Sequence, residues 1–424
     1  MDSTPIEDTN QLQFRFITKQ EQYAIPDTVY AVPASLHTGG LNNLINDILK
    51  STNPDHVTTG FDFLINNELL RARLNTFFKN LALEQEAVHT VEYLESRSEP
   101  KPQDCLLHDD WVASIHHQGN WILTGCYDNT LHIWKNNGEH KLTIPGHSAA
   151  IKAVSWISVN DTTATFASGG ADQTVMLWEW NIKQNSVECV HICRGHERSV
   201  ECLAVTSDAS RIASSGWDNL IKLWNADIRA SEGSRQEEPE RKKMKTDKNQ
   251  ILTPIMTLKG HKEAVSGIRW IAEDEIVTSS WDHTLKFWDV TLGGMKLELP
   301  GNKAFFDLDY SELNKLIITA SADSHIRLYD PRSTEGSLVK NTFTHHTQWV
   351  PCVKWSPTCE HLFISGSYDM KVKLWDTRSP KTPLYDMTGH TDKVLSCDWS
   401  DPSLIISGGA DNTLRLFKFN SKSK

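Results

Sequence analysis

The chain has 424 residues, 39% hydrophobic and 23% charged, a profile that fits a soluble globular protein with a sizeable core. Its net charge of −11, concentrated in residues 1–100 with 14 Asp/Glu against 7 Lys/Arg, disfavours a primary grip on nucleic acid but leaves local RNA contact open. No apolar run suffices to span a bilayer, no basic-then-apolar start marks a secretory leader, and the eight cysteines form no CxxC pair, so an intracellular protein with reduced thiols and no membrane contact is expected.

Residues 1–10 are polar and read as a disordered tail. Residues 11–95 form a first domain. Leu12, Phe14 and Phe16 alternate with polar neighbours as one face of a strand, and Tyr23–Val32 is a second extended stretch interrupted by Pro26. Leu41, Leu44, Ile45, Ile48 and Leu49 lie at helical spacing behind Gly39-Gly40. Phe61–Ile65 is a third strand, Leu69-Leu70 a short fourth, Leu74–Phe78 a short helix and Val88–Tyr93 a last strand. That order is the order of a ubiquitin-like β-grasp, an α+β docking module. The chain runs on through Arg97-Ser-Glu-Pro100 without a terminal Gly-Gly, so a conjugated modifier is not expected. Residues 96–103, with Pro100 and Pro102, form a linker.

Residues 104–420 repeat one phrase seven times. The copies are Asp128–Trp134 (DNTLHIW), Asp172–Trp178, Asp218–Trp224, Asp282–Trp288, Asp323–Tyr329, Asp369–Trp375 and Asp411–Phe417. Each has an aromatic residue six positions after the Asp and a Ser or Thr four before it: Thr124, Ser168, Ser214, Thr278, Thr319, Ser365 and Ser407. Seven units of this length predict a closed ring of four-stranded blades. The last unit lacks an outer strand of its own after Phe417, and Gln103–His108 is placed to supply it and close the ring. The Asp spacings are 44, 46, 64, 41, 46 and 42, so residues 229–249 are an insertion between the third and fourth blades. This charged stretch is expected to be disordered. Its Arg241, Lys242, Lys243 and Lys245 read either as a nuclear-import run or as a solvated loop.

With Gly-His pairs at Gly146-His147, Gly195-His196, Gly260-His261 and Gly389-His390, this segment resembles the WD-repeat β-propeller family. The resemblance implies a hydrogen-bonded set of His, Ser/Thr, Asp and Trp within a blade, which is sensible because a buried Asp needs donors. By residue type four sets are complete: His147, Ser168, Asp172, Trp178; His196, Ser214, Asp218, Trp224; His261, Thr278, Asp282, Trp288; and His346, Ser365, Asp369, Trp375. Blades five and seven, with Tyr329 and Phe417, are incomplete and are expected to be looser. Ser, His and Asp together suggest a hydrolase, but a catalytic triad occurs once, in one cleft, and this set recurs. No catalytic residue and no cofactor of its own is expected.

Just before each Asp stand Tyr127, Ala171, Trp217, Trp281, Ala322, Tyr368 and Ala410, and Trp111 and Trp349 precede a first-strand Val. Tyr127, Trp217, Trp281, Tyr368, Trp111 and Trp349 either bind a partner or pack over neighbouring blades. Trp375-Asp-Thr-Arg378 and Tyr329-Asp-Pro-Arg332 match the WD-x-Arg pattern of substrate receptors of cullin-type ubiquitin ligases, the alternative function, although the pattern is also a plain turn.

The head, with Phe61-Asp-Phe-Leu-Ile65, Glu68-Leu-Leu-Arg71 and Val91-Glu-Tyr93, resembles the domain shared by Notchless and the WD-repeat subunit family of the PeBoW complex. Asp109-Asp-Trp-Val-Ala-Ser114, the insertion and the count of seven repeats favour the PeBoW family. This resemblance implies a nucleolar and nucleoplasmic factor for the large ribosomal subunit, needed for rRNA precursor processing. Its propeller would bind a BOP-type WD-repeat protein, and through it pescadillo, on the pre-large-subunit particle. Its head would dock on the AAA ATPase midasin, where a head Glu completes a metal site in trans. Alignment through Val91-Glu-Tyr93 places that role on Glu86, a hard-oxygen donor suited to Mg²⁺.

Overall fold

The alternation at the start of the chain folds as strand β1, Gln11–Ile17, with Leu12, Phe14 and Phe16 buried and their neighbours exposed. The computed structural model describes residues 11–84, 86–228, 250–333 and 338–420. The expected N-terminal tail and the 229–249 insertion with its Arg241–Lys245 run lie outside the described residues. The chain divides into two compact units, the first containing the head and the second Pro100–Trp375 with Tyr385–Phe419.

In the head, β1 is followed by a 3₁₀ turn at Glu21–Tyr23 and by β2, Val29–Pro33. The extended stretch expected over Tyr23–Val32 is therefore shorter, since Pro26 has no N–H to give a ladder. Helix α1, Thr38–Thr52, opens where His37 Nδ1 accepts the Gly40 N–H at 3.2 Å, and it buries Leu41, Ile45 and Leu49. Strands β3 (Phe61–Ile65) and β4 (Glu68–Leu69), helix α2 (Leu74–Asn80) and strand β5 (Val88–Glu95) complete the unit. The sheet order is β2-β1-β5-β3-β4, with β1 parallel to β5 and the other pairs antiparallel, the β-grasp arrangement. One core joins Phe14, Phe16, Leu41, Ile45, Phe63, Phe78 and Tyr93.

Among the described residues the second unit holds seven sheets, one per repeat. Blade two shows the plan: Ile151–Val159, Thr163–Gly170, Thr174–Asn181 and Ser186–Arg194 follow one another antiparallel. The residue after every Asp of the phrase, from Asn129 to Asn412, has φ between +58° and +70°. Each of these Asp carboxylates accepts the N–H two residues on, as in Asp128 to Thr130 at 2.9 Å and Asp411 to Thr413 at 3.2 Å. The repeated Asp is thus fixed first by its own turn.

Strand β6, Lys101–Leu107, pairs antiparallel with Thr413–Lys418 and completes the last blade. It begins at Lys101, inside the stretch expected as the 96–103 linker. Pro102 is tolerated because β6 is an outermost strand, where a missing N–H breaks no second ladder. A fifth strand in blade two, Gln250–Leu252, runs parallel to Ser186–Arg194 and has no counterpart in the repeat pattern.

Polar side chains on the innermost strands join successive blades. Ser114 Oγ and His116 Nδ1 accept the N–H groups of Val154 and Trp156 at 3.1 and 2.8 Å. Asp309 accepts that of Trp355 at 2.8 Å, and Asp398 that of His117 at 3.2 Å. Polar side chains on these strands, which a sequence reading passes over, fasten blade one to two, five to six and seven to one.

Candidate partner-binding surfaces

The recurring polar sets are internal. In blade two His147 Nδ1 lies 2.9 Å from Asp172, its Nε2 lies 2.7 Å from Ser168 Oγ, and the Trp178 indole donates to that hydroxyl at 2.8 Å. His196, Ser214, Asp218 and Trp224 repeat this at 2.7, 2.7 and 2.7 Å. His261, Thr278, Asp282 and Trp288 do so at 2.8 Å throughout. His346 is 2.8 Å from Asp369 and 2.7 Å from Ser365, which takes the Trp375 N–H at 2.8 Å. With neutral imidazole every group is used once: indole to hydroxyl, hydroxyl to Nε2, and Nδ1–H to carboxylate. Burial pushes these carboxyls up, but the His side chains and the backbone N–H after each His outweigh it and hold Asp172, Asp218, Asp282 and Asp369 below the usual range, Asp369 at about 2. Ser168, Ser214, Thr278 and Ser365 are fully buried, so no substrate reaches these hydroxyls.

The incomplete blades differ in kind. Blade seven lacks only the indole bond, for His390 still spans Asp411 and Ser407 at 3.0 and 2.8 Å. Blade five has no such His. Arg327, four residues after Asp323, supplies the paired N–H groups instead, and the buried Tyr329 hydroxyl has no partner among the described residues.

The aromatic residues before the Asp turns do come together. Trp217 and Trp281 meet at 4.8 Å between centroids, Trp281 and Phe306 at 5.8 Å, Phe306 and Trp349 at 5.4 Å, and Trp349 and Tyr368 at 5.9 Å. These five rings form an arc, with the Lys393 ammonium 5.2 Å from the Tyr368 centroid. Trp111 and Tyr127 form a separate pair at 5.1 Å, with Lys152 over Tyr127 at 3.8 Å. Trp111, Trp217 and Trp349 stay 41%, 38% and 49% exposed. Tyr127, Trp217, Trp281, Phe306 and Tyr368 also line a cavity of about 1170 Å³ bounded by the innermost strands. Rings thus pack on one another and still leave area for a partner. Phe306 escapes the sequence pattern because it stands inside a first strand, one place after the Val-equivalent Phe305.

Glu86 is exposed in the loop between α2 and β5. That loop is braced by His89, which donates from Nε2 to the Glu84 carbonyl at 2.6 Å and stacks edge-on against Phe78 at 4.7 Å. Glu84 is exposed as well, so the geometry brings two carboxylates to the loop. Arg378 and Arg332 are each clamped by the Asp two residues before: Arg378 to Asp376 at 2.9 and 2.6 Å, and Arg332 to Asp330 at 2.9 and 3.1 Å. Both are turn braces.

Comparison with known proteins matches the NLE (NUC135) domain at residues 12–78. The WD domain, G-beta repeat, matches seven times, over 101–135, 138–179, 187–225, 252–289, 295–330, 337–376 and 381–418. The first of these begins on β6, in agreement with the closing strand. The chain is 52% identical over 409 residues to the "Ribosome biogenesis protein WDR12 homolog" of Aedes aegypti, covering 96% of this chain and 95% of the relative. Proteins of the same description from Culex quinquefasciatus and Drosophila virilis are 53% and 52% identical with the same coverage.

Proposed function

The chain belongs to the WDR12 family of ribosome biogenesis proteins, and from that premise we propose that it is a non-catalytic assembly factor for the large ribosomal subunit, acting in nucleolus and nucleoplasm in rRNA precursor processing. The observation that carries this reading is the arc from Trp217 to Tyr368, an exposed aromatic surface held by rigid strands. The propeller uses it to hold a BOP-type WD-repeat protein and, through that protein, pescadillo. The head offers Glu86 to the metal of midasin, and its excess of carboxylates favours approach to a cation.

In this mechanism the protein is a passive handle. The propeller stays on the particle while the ATPase pulls on the head, so release needs both units in one chain. Glu86→Ala leaves the propeller complex intact and abolishes capture of midasin. Full midasin capture by that variant sinks the assignment, and Glu84→Ala serves as the neighbouring control. The ligase-receptor alternative draws less support, because it needs both Arg378 and Arg332 free on the surface: Arg378 is mostly covered, and Arg332, though exposed, is paired with its own Asp330.

A further inference from the structure

Blade one departs from the other six at two positions at once. Two residues after the buried Ser/Thr, the other blades carry Gly170, Gly216, Ser280, Ser321, Ser367 and Gly409, whereas blade one carries Cys126. Four residues after the Asp they carry Met176, Lys222, Lys286, Arg327, Lys373 and Arg415, whereas blade one carries His132. Both changes introduce metal-ligand types, a soft thiolate and an imidazole, and both side chains flank His108, which follows the closing strand β6.

The three are buried together. His108 is 8% exposed, Cys126 0% and His132 6%, and one ligand atom from each lies within 4.8 Å of the other two. His108 also breaks the pattern of its counterparts. Its Nε2 is engaged by Thr124 Oγ1 at 3.0 Å and by the Trp134 N–H at 3.2 Å. Its Nδ1, the atom that meets Asp in the other His-bearing blades, makes no hydrogen bond of ordinary geometry among the described residues, and the Leu106 carbonyl and Asp128 carboxylate are the groups that favour its proton. Asp128 is occupied instead by the Thr130 N–H and hydroxyl at 2.9 and 2.7 Å. A buried nitrogen without a well-formed hydrogen bond, beside a thiol and a second imidazole, is an unusual expense in a closed core.

We propose that His108, Cys126 and His132 form a Zn²⁺ site inside blade one, with water in the fourth position. A donor set of one thiolate and two imidazoles suits zinc and not the hard cations that prefer oxygen. Zinc bond lengths set ligand atoms about 3.5 Å apart, so closure from the present spacing takes shifts of less than about 1 Å per side chain. The supporting contacts are in place: His132 has Thr130 Oγ1 2.9 Å from Nε2 and His140 Nε2 3.2 Å from Nδ1, so one outer partner remains whichever nitrogen ligates. Coordination through His108 Nδ1 leaves that ring's proton on Nε2, where Thr124 Oγ1 accepts it, and the Trp134 N–H turns to the same hydroxyl, as the indoles of blades two, three, four and six do. Cys126 binds as thiolate and its proton passes to solvent, so one proton leaves for each metal taken up. Metal here ties the closing strand to blade one and adds a link across the ring seam.

The test uses the tag-free full chain with Zn²⁺ and Co²⁺ as probes. Equilibrium competition against a chromophoric chelator is expected to give one tight site, and Co²⁺ to give a thiolate charge-transfer band. Cys126→Ser and His132→Lys install residues this protein already uses at the same positions of other blades, so both variants are expected to fold. Each should lower Zn²⁺ affinity at least tenfold, and Cys126→Ser should abolish the cobalt band. A chain that takes up no tight equivalent, or one whose affinity and cobalt spectrum are the same in both variants, overturns the site.

Discussion

Leu414 of the last repeat faces Leu106 of β6 across one antiparallel ladder, so opposite ends of the propeller sequence share a blade. Both side chains are buried in a cluster that includes Val112 and Trp134 of blade one. Removing residues 101–107 therefore exposes the edge of Thr413–Lys418 and opens this cluster. We expect calorimetry to show a melting temperature lower by roughly 5–10 °C, several kcal/mol at this chain length. An unchanged transition would mean that the ring does not depend on its seam.

The buried His–Asp pairs make stability depend on acid. Burial keeps His346 below its ordinary value and hence neutral in the fold. The unfolded chain binds that proton below about pH 6.5, so the folded state loses ground as pH falls through that point. Asp369 is held at about 2 against 3.8, so its contribution is complete above the unfolded value and disappears as pH falls from about 4 to 2. Melting temperature should be level above pH 7, decline gently below 6.5 and drop steeply below 4. Asp369→Asn should cost about 2 kcal/mol at pH 7 and make the acid limb shallower. A flat profile from pH 7 to 4 contradicts this account.

Tyr329 is a case where deleting a polar atom helps. Its hydroxyl is buried without a partner among the described residues, and Arg327 rather than a His serves Asp323 beside it. Tyr329→Phe removes the orphan group and keeps the ring, so chemical denaturation should show a gain of up to about 1 kcal/mol. A loss of stability would reveal a bond that the hydroxyl makes in solution.

Met370 occupies the left-handed turn position that Asn129, Asn219 and Asn412 fill elsewhere, at φ +67° and 43% exposed. Met370→Asn should raise stability by roughly 0.5–1 kcal/mol without altering binding, since Asn tolerates this backbone region better. A lower melting temperature for the variant counts against strain at this turn.

The arc predicts a separation of binding from folding. Trp281 touches both Trp217 and Phe306, so Trp281→Ala should break the arc in two and weaken capture of the proposed BOP-type partner by tenfold or more, with only a modest loss of stability. Capture at full strength, measured by titration, would place the interface elsewhere.

Most of this architecture is legible in residue order because repetition multiplies a weak signal. The Asp, the Ser or Thr four before it and the aromatic six after it mark every blade, and strict alternation in Leu12, Phe14 and Phe16 marks the first strand of the head. What stays hidden depends on contacts without a local pattern. Phe306 joins the arc through its place in the ring, and Asp309 and Asp398 fasten neighbouring blades across the chain. Arg327 stands in for an absent His through a side-chain reach that spacing does not encode. Pro102 suggested a linker because the backbone rule against Pro in strands relaxes at an outer edge. Glu86 is distinguished from Glu84 by family resemblance, since both are exposed.

The fifth strand of blade two also bears on how the insertion can be handled. The Ile228 carbonyl accepts from His191 Nε2 at 3.2 Å, and Gln250–Leu252 pairs with His191–Cys193, so both ends of the intervening segment are stapled to one blade edge. A segment closed at its base adds only slowly growing entropy as it lengthens, about 0.6 kcal/mol per doubling. Residues 229–249 are therefore the place to graft a fluorescent reporter or an affinity handle, with the ring on either side keeping its fold.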